Sequence, residues 1–164
     1  MDHPIFQKIK VIILILVILP VFAEAFRFIK FQTMFQEDIY DCAINAIELS
    51  MDDEYRKSNI SLIDETLCIN IFYEILKDKY KLGNSLAPLG SSFIKGQIYI
   101  NSILVEEGKY YLDSNGRAVT DEFPSMYVKG HFYIRPFIMA PIEKIEVPFE
   151  VEAVNKRILK GDES

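Results

Sequence analysis

The chain holds only two histidines, His3 and His131, and only two cysteines, Cys42 and Cys68. His3 stands in a short amino-terminal tail, and His131 falls on the outward side of an alternating polar–apolar segment. No set of nucleophile, base and orienting acid can be drawn from so few groups. Neither cysteine has a neighbour at the spacing a zinc site needs. The few glycines form no phosphate-cradling or dinucleotide fingerprint, and no G-x-S-x-G or H-E-x-x-H motif occurs. Acid pairs at Asp52-Asp53 and Glu106-Glu107 lie in turns without the alternating ligand spacing of a calcium loop. These absences predict a chain without catalysis, cofactor or metal, and with no evident small-molecule substrate.

Positive charge is also scarce. Beyond residue 31 there are 22 Asp+Glu against 14 Lys+Arg, a net charge of −8. Nucleic-acid binding, which requires clustered Lys and Arg, is not expected. The same balance argues that anionic lipids would not hold this region. There is no internal repeat, low-complexity tract or interior Gly/Ser-rich linker. Lysine outnumbers arginine 13 to 5 and isoleucine is abundant, a coding bias that points to an AT-rich bacterial genome.

What the chain does have is an uninterrupted apolar run. Val11, Ile12, Ile13, Leu14, Ile15, Leu16, Val17, Ile18, Leu19, Pro20, Val21 and Phe22, followed by Ala23, carry no charge and no hydrogen-bonding side chain. Two readings fit. In one, Lys8 and Lys10 open a cleaved signal peptide that ends at Ala23-Glu24-Ala25. In the other, the helix continues through Phe26, Phe28, Ile29 and Phe31 as a retained anchor. Residues 11–31 would then span about 30 Å, one hydrocarbon thickness. Arg27 and Lys30 would snorkel, with Phe26, Phe28 and Phe31 at headgroup level. Glu24 would sit near the interface, paired one turn away with Arg27.

The anchor is favoured by the periodicity on its carboxy-terminal side. Phe28, Phe31, Phe35, Ile39, Cys42, Ala46 and Leu49 recur every three or four residues, a single helical stripe running to about Ser50. It starts inside the supposed cleavage region, where a signal-peptide junction is normally extended and polar. The division is therefore a membrane segment over 1–31 and a domain over 32–164, the latter outside the cytoplasm as in a signal-anchor with a short amino-terminal flank. Cys42 and Cys68 both fall on expected helices. A disulfide between them is one option, two buried thiols the other.

Downstream, Asp64 and Glu65 open a second helix with Leu67, Ile71, Ile75 and Leu76 on one face, closing before Gly83. Strands come next. Ile94–Val105 places Ile98, Ile100 and Leu104 on one side, and Glu106-Glu107-Gly108 is expected to turn it back through Lys109–Leu112. Asp113–Gly116 is a turn. Met126, Val128, Phe132 and Ile134 alternate with polar residues around Gly130. Ile145, Val147, Phe149, Val151 and Ala153 form the clearest strand, with Pro148 marking it as an edge. Helices first and strands later give an α+β fold, a long helix packed on a small antiparallel sheet. Tyr99, Tyr110, Tyr111, Tyr127 and Tyr133 are candidates for an aromatic binding surface. Asn59-Ile60-Ser61 is a glycosylation acceptor only in a suitable secretory system.

The stretch Leu19-Pro20, then Glu24-Ala25-Phe26-Arg27, then a helix carrying Cys42, Ala43 and Ala46, resembles the TadE-like family of pilus-associated, single-pass membrane proteins. The resemblance covers residues 11–50. It implies a pilin-like architecture, a structural or assembly role in a surface pilus or secretion apparatus, and partners among pilin-like or secretion-machinery subunits. Small residues on the helix would let a second helix approach closely. No prepilin-peptidase motif precedes the apolar run. A membrane-anchored or secreted extracytoplasmic binding module is the alternative.

Overall fold

A computed structural model describes residues 4–51, 60, 62–136 and 143–156. Helix α1 (Pro4–Leu49) is unbroken, with Pro20 inside it. Helix α2 (Glu65–Tyr80) opens on Asp64, whose carboxylate accepts the Leu67 N–H at 2.7 Å. Its far end closes before Gly83, as expected, without using that glycine as the cap. Lys81, in the left-handed region at φ 51°, closes the helix, and its N–H reaches the carbonyls of Lys77 and Asp78. Gly83 lies beyond the cap, donating to the Ala87 carbonyl.

Five strands complete the fold: β1 (Tyr99–Glu106), β2 (Lys109–Leu112), β3 (Ala118–Glu122), β4 (Ser125–Ile134) and β5 (Ile145–Val154). They form a three-stranded antiparallel sheet in the order β1-β4-β5 and a separate β2-β3 pair. The fold is α+β, with α1 and α2 packed on one face of the sheet. The alternations in β4 and β5 hold residue for residue. Met126, Val128, Phe132 and Ile134 face in from β4, and Val147, Phe149, Val151 and Ala153 from β5. Pro148 sits on β5, an edge strand, where the missing N–H costs no ladder bond.

Three strand expectations need correction. The strand expected from Ile94 begins at Tyr99, and Ile94 makes only an isolated bridge to Ile134. Leu104 is exposed, whereas Ile103 and Val105 pack on the core. The register shifts between Ile100 and Ser102, and one extra residue in a strand exchanges its two faces. Gly130 on β4 pairs with Ile100 beside this shift. A Cβ built on Gly130 would collide with the Tyr99 carbonyl oxygen and lie 2.6 Å from Phe149 Cζ, so a close approach requires glycine there. The step at Glu106-Glu107-Gly108 also does not return the chain. β2 pairs with β3 and not with β1, and the reversal comes at Asp113–Gly116. There the Asp113 carboxylate accepts the Asn115 and Arg117 N–H groups, each at 2.8 Å, and Gly116 takes φ 74°. The segments on either side of residues 107–108 and 123–124 thus belong to one long ribbon with a break in its middle.

Candidate functional site: an apolar helix continuous with the domain spine

The first half of α1 is bare. Val11 to Leu19, Val21 and Phe22 are exposed and Pro20 is partly covered. By length and composition α1 is the one helix among the described residues able to cross a membrane, and it lies near the amino terminus. An apolar helix of this kind is compatible with a single-pass anchor. Branched and long aliphatic side chains dominate this run, a surface suited to lipid tails.

The second half of α1 is the spine of the domain. Phe35, Ile39, Cys42 and Ala46 of the expected stripe are fully buried or nearly so, and Phe28 and Phe31 pack against the core from its rim. Ala43 and Ile47 are buried beside them, widening the stripe to a face. Phe35 is its centre, with ring centroids 4.1 Å from Phe132, 5.0 Å from Phe149 and 5.2 Å from Tyr80. Phe31 stacks on Phe93 at 4.7 Å. Leu49 does not belong to the stripe. It is 66% exposed, and Ser50, four residues after Ala46, takes the inward position. Ser50 can be buried because its hydroxyl donates to the Ile47 carbonyl at 3.1 Å.

Between the halves lies a polar joint. Glu24 is only 4% exposed, and Arg27 Nη1 lies 3.1 Å from its carboxylate. Arg27 Nη2 donates to the Arg135 carbonyl at 2.8 Å, and its guanidinium lies 5.3 Å from the Phe31 ring centroid. The i,i+3 spacing of Glu24 and Arg27 is readable in the sequence; the bond to Arg135, 108 residues away, carries no sequence signal. Arg27 is therefore clamped to the domain and does not snorkel. Of the three phenylalanines expected at headgroup level, Phe26 alone is freely exposed, at 70%.

A second polar cluster fixes α1 against α2. Tyr80 donates its hydroxyl to the Asp38 carboxylate, and Lys79 Nζ lies 2.6 Å from Asp38. Burial and the Asp38 hydrogen bond push the Tyr80 hydroxyl far above its usual range. Burial opposes the charge on Lys79, but the Asp38 hydrogen bond and the negative charges of Asp38, Cys42 and Asp41 together outweigh it and raise that group. Both cysteines are free and buried, so the disulfide option is not realised. Burial pushes Cys42 up to about 11, with Lys79 pulling the other way, and raises Cys68, partly offset by a hydrogen bond with Ser50. Such thiols are packing groups.

The small residues expected to admit a partner helix are used inside the chain. Cys42, Ala43 and Ala46 are covered by the domain itself. The tyrosines divide. Tyr99 stacks on His131 at 4.7 Å with Tyr133 edge-on, and Tyr127 donates to Glu150 at 2.7 Å, all on the outer face of the sheet. Tyr110 and Tyr111 lie on the distant β2 strand. Among the described residues, no three His, Cys, Asp or Glu side chains gather as metal ligands. His3, Asp52-Asp53 and most of the Asn59-Ile60-Ser61 triplet lie outside the described residues. No protein-family profile, curated protein or solved structure matches the chain.

Proposed function

We propose that the chain is a membrane-anchored structural component that acts by assembly, in the manner of a TadE-like minor pseudopilin of a surface pilus or secretion apparatus. The carrying observation is the unbroken α1, half bare apolar helix and half domain core. A helix shared in this way couples the pose of the domain to the anchor without a hinge. On this reading the domain lies outside the cytoplasm of a bacterial cell, with partners among other subunits of the same machine. A partner helix would use the uncovered flank at Phe22, Phe26 and Ile29, since the opposite flank is occupied by the sheet. Single cysteines at Phe26 and Ile29, oxidised in cells that carry the neighbouring genes, should trap a second subunit. A cysteine at Phe35 should trap nothing. Monomer at every position would remove the assembly reading.

The outer face of the sheet favours a second reading, an anchored binding module. Tyr99, His131 and Tyr133 form an aromatic group flanked by Glu146, Glu150 and Lys129. Tyr99→Ala with Tyr133→Ala should leave crosslinking intact under the assembly reading. Loss of an envelope-polymer interaction with crosslinking unchanged would favour the binding module.

A further inference from the structure

The domain is acidic as a whole, but its charge is divided between its ends. Strand β4 runs toward the anchor and finishes where the Arg135 carbonyl meets Arg27. Four exposed basic residues gather at this end. Lys30 stands on α1 three positions past Arg27. Lys95 is tied there by its backbone N–H, 2.6 Å from the Tyr133 carbonyl. Arg135 comes directly after β4, and Lys144 precedes β5 with Nζ 4.1 Å from the Tyr133 ring centroid. Of the acids nearby, Glu24 is buried on Arg27, Glu146 accepts from the Tyr133 hydroxyl, and Glu143 is exposed. The opposite end carries Glu106, Glu107, Asp113, Asp121 and Glu122 against Lys109, Arg117 and Lys156.

We propose that the anchor-side end of the domain docks on the anionic lipid headgroups of the bilayer that holds α1. This rests on the anchor reading. With the hydrocarbon span taken over residues 4–23, about 30 Å at about 1.5 Å per residue, and not over 11–31, Arg27 and Lys30 stand about 6 and 10 Å beyond Ala23, at headgroup level. The register of β4 and β5 holds Arg135 and Lys144 at the same level. The ten residues of β4 separate this end from the acidic one by about 30 Å, several Debye lengths at physiological salt. The distal acids are therefore screened from the bilayer, and local charge decides the contact in place of the net −8. A bare apolar helix fixes the domain to a membrane; the basic end fixes which way its faces point.

The test uses the full chain in two bilayers, one zwitterionic and one with about 30% anionic phosphatidylglycerol, an amount sufficient for a substantial surface potential. Lysine acylation is tracked by mass spectrometry at Lys30, Lys95 and Lys144, with Lys109 as the distal control. Docking predicts acylation slowed about fivefold at the three lysines in the anionic bilayer, the factor expected near about 1 kcal/mol per basic side chain. Lys109 should not change, and about 0.5 M salt should erase the difference. Equal rates in the two bilayers would overturn the proposal. Alkaline carbonate provides the separate check on the anchor: release of the chain from both bilayers would overturn the anchor, and the docking with it.

Discussion

The two halves of α1 share one unbroken helix and do opposite things. From Val11 to Phe22 the helix is apolar on every side and touches almost nothing. From Phe35 to Ile47 it is apolar on one face, and that face is buried. The difference lies in the polar residues: Gln36, Glu37, Asp38, Asp41 and Asn45 stand in the second stretch, off its buried face, and none stands from Val11 to Phe22. Where Asp38, Asp41 and Glu48 interrupt the helix, they leave one face for a sheet to cover. Where nothing interrupts it, the helix is left bare, a surface compatible with lipid.

The largest expected effect comes from placing a charge in each half. Ala46→Asp should destabilise the domain by more than about 3 kcal/mol, because a carboxylate there has no buried partner. The chain should nevertheless remain membrane-bound. Leu16→Asp should do the reverse, leaving the thermal midpoint in detergent unchanged while costing about 3 kcal/mol in membrane insertion. If Leu16→Asp unfolded the domain, the two halves would not be independent in energy.

Deleting apolar bulk sharpens the same contrast. Phe35→Ala removes a fully buried ring lying among Phe132, Phe149 and Tyr80, and should cost about 3–5 kcal/mol by denaturant titration. Leu14→Ala should cost the domain less than about 0.5 kcal/mol. At the joint, Arg27→Gln takes a cation from the buried Glu24 and a hydrogen bond from the Arg135 carbonyl. A loss of about 2 kcal/mol is expected, intermediate between the halves.

Alkaline pH should act on the domain half alone. Cys42, Tyr80 and Lys79 all have folded values raised above their unfolded ones, so their contributions are complete at neutral pH and are lost as pH rises. The loss should begin near pH 9.0, with Cys42 ionising across the window up to about 11. Cys42→Ala should flatten the first part of that decline, read as thermal midpoint against pH. An unchanged profile would mean that the thiol is not desolvated.

Much of this fold is legible in the sequence because periodicity survives wherever one face is buried. The α1 stripe, the Asp64 cap and the alternations of β4 and β5 are each set by local pattern. The illegible parts depend on partners far away in the chain. The shift at Ile100/Ser102 exchanges the faces of β1, and it stands beside the close approach of Gly130 to Tyr99. Leu49 fits an apolar period, yet Ser50 fits the geometry and satisfies its own hydroxyl. Cys42, Ala43 and Ala46 have the pattern of an opening for another chain, but this chain's own domain covers them. Net charge alone argues against contact with anionic lipid, but it averages over two ends of opposite character.

The central claim is that the apolar run is retained as a structural continuation of the domain helix. Mass measurement of the protein taken from its native membrane tests this most directly. Peptides spanning Val11 to Phe26 should remain in the mature chain, with Glu24 still present beside Arg27. A mature chain beginning at Phe26 would contradict it and make the run a cleaved signal peptide.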